Sequence, residues 1–163
     1  MKISELGEFG LIQLLAEVLG PPPHTPPHQP GILTGIGDDA ALWCAPDSTQ
    51  ILTTDTMIED VHFRRETISW RDLGWKTLAI NISDIAAMGG IPQYAVVSLG
   101  LPPDTEVESV TEVYRGMADI AGKYDCHVVG GDTVTAPSIM ITVSLTGEAS
   151  SDDAYPDNVL SRS

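Results

Sequence analysis

Alternating helical and β patterns across 163 residues predict an α+β fold, a single two-layer domain in which helices cover one face of a mixed sheet. Three observations carry this expectation. Helical stripes with start signals begin at Ser69 and at Thr105; β-branched runs at Ile51–Thr56, Tyr94–Leu101 and Ile139–Thr146 sit around them. Several connections are too short for a parallel crossover, so the sheet has to be mixed. Residues 1–149 make up the predicted domain, and the polar, acidic stretch 150–163 reads as a linker.

The elements follow in order. Phe9, Ile12, Leu15 and Leu19 recur at helical spacing over residues 4–19, closed by Gly20 and Pro21. Residues 21–30 hold six prolines and predict an extended, exposed connection. His24 and His28 lie within it, but an i, i+4 pair converges on one metal only when a helix carries it. Residues 32–43 read as a turn and a short strand at Ala40–Trp43. Residues 51–55 form a strand, followed by a polar loop to Phe63. Ser69 and Asp72 form a capping box for a helix running to Met88, stopped by Gly89 and Gly90. On it, Leu78, Ile82 and Ile85 make an apolar stripe beside a polar one of Thr77, Asn81 and Asp84. Thr105 and Glu108 predict a second capping box, and Val107, Val110, Tyr114, Met117, Ala121 and Tyr124 continue a helical stripe that places Tyr114 in the core. Cys126–Val129 reads as a strand entering a Gly130-Gly131-Asp132-Thr133 turn, and 139–146 as a strand with alternating apolar residues.

The formal net charge is −15, from 23 acidic and 8 basic residues, which argues against nucleic-acid and anionic-membrane surfaces. Nucleotides remain compatible, because bound divalent ions reverse the local field. Two cysteines without CxxC spacing indicate neither a disulfide framework nor zinc. Glu5 and Glu8 interrupt any signal-like apolar core, and no run reaches about 18 apolar residues, so a cytoplasmic protein is expected.

Four acidic sites end apolar elements: Gly37-Asp38-Asp39, Thr53-Thr54-Asp55, Ser83-Asp84 and Gly131-Asp132. One cluster using all four is the expectation. Two carboxylates about 4 Å apart repel by about 4 kcal/mol at an effective dielectric near 20, so such a cluster needs cations. Oxygen ligands without a supporting His or Cys set select a hard ion, Mg²⁺ being usual where phosphates share the shell. His62, in the loop directly after these ligands, has two readings: a satisfied structural residue, which a lone histidine more often is, and a side chain facing a substrate. Gly35-Ile36-Gly37-Asp38-Asp39-Ala40 formally fits a dinucleotide fingerprint, but Pro46 leaves no room for its helix and two carboxylates would face the pyrophosphate.

Glu8-Phe9-Gly10-Leu11-Ile12, Gly35–Ala41, Thr53–Thr56 with His62-Phe63, Asn81–Gly89 and Gly130–Thr133 together resemble the thiamine-monophosphate kinase family, in order and spacing, over nearly all of residues 5–163. The resemblance implies the amino-terminal domain of that kinase, with the fold of the aminoimidazole ribonucleotide synthetase amino-terminal domain, a homodimer formed through the sheet, and an active site shared with a carboxy-terminal domain. It implies Asp39, Thr53, Thr54, Asp55, Asp84 and Asp132 as magnesium ligands, and His62 as a contact to thiamine monophosphate. Gly131, Asp132, Arg162 and Tyr114 are the implied ATP contacts. The implied reaction phosphorylates thiamine monophosphate from ATP to give thiamine diphosphate, with no general base. Departures from the family pattern are Asp60 where glycine is common, a longer Pro-rich segment at 21–30, and a chain end just past Arg162, so that the chain reads as the amino-terminal half. Another ATP-dependent synthetase of the same superfamily, and a non-catalytic nucleotide-binding and dimerisation fragment, are the alternative readings.

Overall fold

The computed structural model describes residues 2–20, 31–34, 42–44 and 50–149. Its elements are α1 (Ile3–Leu6), α2 (Glu8–Leu19), β1 (Gly31–Thr34), β2 (Leu42–Cys44), β3 (Gln50–Ile58), α3 (Trp70–Ala87), β4 (Gly90–Leu101), α4 (Val107–Tyr124), β5 (His127–Thr135) and β6 (Met140–Ala149). The main sheet has the order β3-β6-β4-β5. β6 pairs antiparallel with both β3 and β4, while β5 runs parallel to β4, across the α4 connection. The sheet is therefore mixed, as expected. β1 and β2 form a separate antiparallel pair.

Period-2 alternation decides which face is covered. On β6, Ile141, Val143 and Leu145 are buried and align with Val97 and Leu99 of β4, making an apolar floor under the helices. Leu73, Leu78, Ile82 and Ile85 of α3 and Val113, Met117 and Ile120 of α4 complete the core. The two helices touch backbone to backbone. A methyl at Gly74 would overlap the Val113 carbonyl, and one at Gly116 would overlap the Arg71 carbonyl. On the opposite face Leu52, Val96, Val134 and Met140 are exposed, so one side of the sheet is open among the described residues.

Local chemistry accounts for most boundaries. Ser69 Oγ accepts from the Asp72 amide at 3.1 Å, as the capping box requires. Three expectations shift. The helix anticipated over 4–19 is split at Gly7, whose φ of +76° is left-handed. The Thr105 capping box does not form: Glu106 occupies the cap position, and the Thr105 hydroxyl donates instead to the Pro102 carbonyl at 2.7 Å. Gly130–Thr133 is strand rather than turn, because after a register shift at Val129 β5 pairs with Val96–Leu101 of β4 as far as Thr135; Gly131, lacking a side chain, lets its backbone lie against Val97. β1 and the β4 residues before Tyr94 are additions to the expected elements, the latter accommodating Pro92 at a register shift. The Pro-rich segment 21–30, with His24 and His28, and the acidic stretch 150–163 lie outside the described residues. No helix among the described residues is long and apolar enough to cross a membrane.

Candidate functional site

The site grows from β3 and the C-terminal turns of α3. Thr53 pairs with Leu145, Asp55 with Val143 and Met57 with Ile141, so the odd-numbered residues of β3 share the helix-covered face. Asp84, near the end of α3, reaches that face: the Thr53 hydroxyl donates to Asp84 Oδ2 at 2.9 Å. Thr53, Asp55 and Asp84 thus occupy one edge of the covered layer, and every donor there is oxygen. Asn81, one turn before Asp84, is fully buried; its Nδ2 donates to the Thr77 carbonyl at 3.1 Å and its Oδ1 has no partner.

The even-numbered residues of β3 face the other way. Thr54 Oγ1 accepts from Ser144 Oγ at 3.0 Å and donates to the Val143 carbonyl at 3.1 Å, while the Thr56 and Thr142 hydroxyls bond at 2.9 Å. Asp132 aligns with Ser98, whose neighbour on β6 is Thr142, so Asp132 lies on this open face. Its strand is three inter-strand spacings from β3, roughly 14 Å. The expectation of one cluster using all four aspartates is therefore not met within one copy. No three His, Cys, Asp or Glu side chains converge among the described residues. Consecutive strand residues point to opposite faces, and a closed sheet stands between Asp132 and the Asp55–Asp84 edge. Asp38, Asp39 and Arg162 lie outside the described residues.

The loop after β3 is held in shape. Glu59 is buried; its Oε2 accepts from the Ile139 amide at 3.2 Å, its Oε1 pairs with Arg65, and its own amide donates to the Ile139 carbonyl at 2.9 Å. Phe63, which forms a backbone bridge with Glu59, is buried too. His62 is exposed between these anchors. Its amide donates to the Ile58 carbonyl at 2.8 Å, and its Nδ1 accepts from the Ile58 amide at 3.1 Å, which leaves the proton of a neutral ring on Nε2 as an outward donor. From Thr53 to Ile58 the strand advances roughly 17 Å, so His62 stands at the far end of β3 from Asp84. Sequence reasoning placed Glu59 in a polar loop; extending the odd-number alternation from Thr53, Asp55 and Met57 by one step would have put it inside. Tyr114 is buried in the core, as its helical stripe indicated, and burial pushes its phenol up. Gly131 lies on β5 beside Val97.

Residues 37–149 match the family described as AIR synthase related protein, N-terminal domain. The thiamine-monophosphate kinase of Bacillus subtilis (strain 168) is 47% identical over 123 residues, covering 74% of this chain and 38% of that protein. The thiamine-monophosphate kinase of Aquifex aeolicus (strain VF5) is 40% identical over 148 residues, covering 91% and 44%. Among solved structures, AaThiL complexed with AMPPCP and TMP superposes with a TM-score of 0.61 at 39% identity, covering 91% of this chain and 44% of that one. The chain spans less than half the length of the curated relatives it matches. With the α+β architecture, the mixed sheet and the family match over residues 37–149 in agreement, the chain belongs to the AIR synthase related protein N-terminal domain family.

Proposed function

We propose that this chain is the amino-terminal, nucleotide- and magnesium-binding part of a thiamine-monophosphate kinase, which transfers the γ-phosphoryl of ATP to the phosphate of thiamine monophosphate and yields thiamine diphosphate in the cytoplasm. The observation that carries the reading is the similarity to AaThiL complexed with AMPPCP and TMP over 91% of this chain, in a region that contains the all-oxygen edge at Thr53, Asp55 and Asp84.

The residues present fit magnesium. The edge offers hydroxyl and carboxylate oxygens, and the unpaired Asn81 Oδ1 beside them is one more hard acceptor. Thr53, Asp55 and Asp84 would hold the ion at the covered edge. Thr54 and Asp132 would act from the open face, with Asp39 joining the ligand set. Magnesium would neutralise charge on the phosphates of donor and acceptor. Gly131 brings bare backbone to the same place as Asp132, where ATP is assigned; Arg162 and, less directly because it is buried, Tyr114 complete that assignment. His62 is assigned to thiamine monophosphate, its Nε2–H donating to a phosphate oxygen. A phosphate monoester is already largely ionised at neutral pH, its second pKa being about 6, so the acceptor needs no strong general base. The chain's contribution is positioning, with no side chain acting as a proton acceptor.

A homodimer through the open face of the sheet accounts for the exposure of Leu52, Val96, Val134 and Met140 and would place Thr54 and Asp132 at the seam between copies. Neither nucleic acid nor membrane is a partner in this reading, given the net charge of −15. The test is turnover of thiamine monophosphate with ATP and magnesium in a complete enzyme carrying these residues. Asp55→Asn and Asp84→Asn should each lower kcat by about 1000-fold or more while leaving the circular dichroism spectrum and melting temperature near those of the parent. Near-normal turnover by either variant at saturating magnesium refutes the assigned roles.

A further inference from the structure

Among the described residues, Asn81 Oδ1 is the buried side-chain polar atom without a hydrogen-bond partner. Its neighbour in the same helix, Thr77, is equally buried but satisfied, its hydroxyl donating to the Leu73 carbonyl at 2.7 Å. A buried acceptor left unpaired is destabilising, so an Asn in this state needs a donor that the described residues do not supply.

The direction of the side chain follows from the helix. Asp84 and Ile85, three and four residues on, both touch the sheet: Asp84 meets Thr53, and Ile85 packs where a Cβ at Gly147 would overlap it. Residues at these spacings share a helix face, so Asn81 also faces the sheet. α3 runs opposite to β3, because Trp70 at its start and Glu59 at the end of β3 line one cavity of about 320 Å³, while Asp84 at its other end meets Thr53. Asn81 lies three residues back from Asp84, about 4.5 Å along the helix, which corresponds to about one and a half residues forward along β3 from Thr53. The covered-face residue nearest that point is Asp55. Asn81 Oδ1 and the Asp55 carboxylate are then two acceptors on facing elements. Neither can donate to the other, whereas a water held by a cation can donate to both.

We propose that Asn81 is a positioning residue of the magnesium edge, its Oδ1 accepting a hydrogen bond from a water bound to the ion that Asp55 and Asp84 hold. The proposal rests on the magnesium reading of that edge. It assigns to Asn81 the orientation of the ion's hydration shell, with no contact to either phosphate.

The experiment follows thermal melting of the 163-residue chain as magnesium is titrated from EDTA to saturation, for the unsubstituted chain, Asn81→Leu and Asn81→Asp. Leu has similar bulk and removes the unpaired acceptor; Asp retains an acceptor. Without magnesium, Asn81→Leu should melt above the unsubstituted chain, since it deletes an unsatisfied group, and Asn81→Asp below it. With magnesium the order should reverse. The concentration giving the half-maximal melting shift should rise by about tenfold or more in Asn81→Leu, as losses of outer-shell partners do, and fall in Asn81→Asp. A purely structural Asn81 would move all melting temperatures without moving that midpoint. An unchanged midpoint in Asn81→Leu overturns the proposal; if that variant does not fold, an unchanged midpoint in Asn81→Asp does so. Absence of any magnesium response in the unsubstituted chain overturns the magnesium reading and this inference together.

Discussion

The two faces of β3 share one backbone and differ in everything else. On the covered face, Thr53 bonds Asp84, Met57 is 4% exposed, and Asp55 is half-buried opposite Val143. On the open face, Leu52 is 74% exposed, and Thr54 and Thr56 are tied to β6 through the Ser144 and Thr142 hydroxyls and the Val143 carbonyl. The contrast shows why Thr53-Thr54-Asp55, contiguous in the chain, is not a contiguous ligand set. A strand splits it two to one across the sheet, so side chains of the even residue act in a different space from those of the odd pair. It also locates stability. The covered face is coupled to two helices in backbone contact; the open face is coupled to one neighbouring strand.

The sharpest way to break this contrast is to push the helices apart. Gly116→Val should cost about 4 kcal/mol or more, because its side chain would overlap the Arg71 carbonyl and neither helix can yield without lifting from the sheet. The urea midpoint at constant slope measures it. Leu145→Ala, beneath the same layer at 0% exposure, should cost about 3 kcal/mol by the same measurement. A third probe is pH. Burial pushes the Cys126 thiol up to about 11, from the 9 of an open chain. The neutral thiol contributes its full stability below about pH 9 and loses that contribution as pH rises through 11. Cys126→Ala should therefore flatten the decline in stability between those values. Leu52→Ser, on the open face, should change the stability of the dilute chain by less than about 0.5 kcal/mol. A loss as large as that of Leu145→Ala would show that the open face is covered in solution. Smallest of all should be Asp60→Gly. Asp60 holds φ at +63°, where glycine is at ease, but glycine's extra freedom in the unfolded chain offsets the relief, leaving a gain of about 0.5 kcal/mol or less in the same urea midpoint.

Much of this fold was legible from local signals. Ser69 with Asp72, the stripe from Val107 to Tyr124 and the alternation along Ile139–Leu145 each report a neighbour a few residues away, and each became the expected element. The local reading went astray where a distant strand intervened. Gly130-Gly131-Asp132-Thr133 carries turn residues, yet pairing with Val96–Leu99 of β4, past a register shift at Val129, keeps it extended. Thr105 had the residues of a capping box, but the Pro102 carbonyl competed for its hydroxyl. Glu59 looked like loop polarity until the Ile139 amide and Arg65 enclosed it.

The sequence by itself determined the architecture and the side-chain chemistry on offer: helices over a mixed sheet, hydroxyls and carboxylates at the ends of apolar elements, and a net charge of −15. These follow from periodicity, side-chain type and composition, which need no knowledge of what lies across the molecule. Tertiary structure alone decided how the acids are shared out. Asp84 meets Thr53, on the face of β3 that Asp55 shares, because α3 folds back antiparallel over β3, and Asp132 is held apart because its strand sits at the opposite edge, facing outward. Such distances depend on strand order and helix direction, and those are settled by which surfaces pack together, many residues apart in the chain.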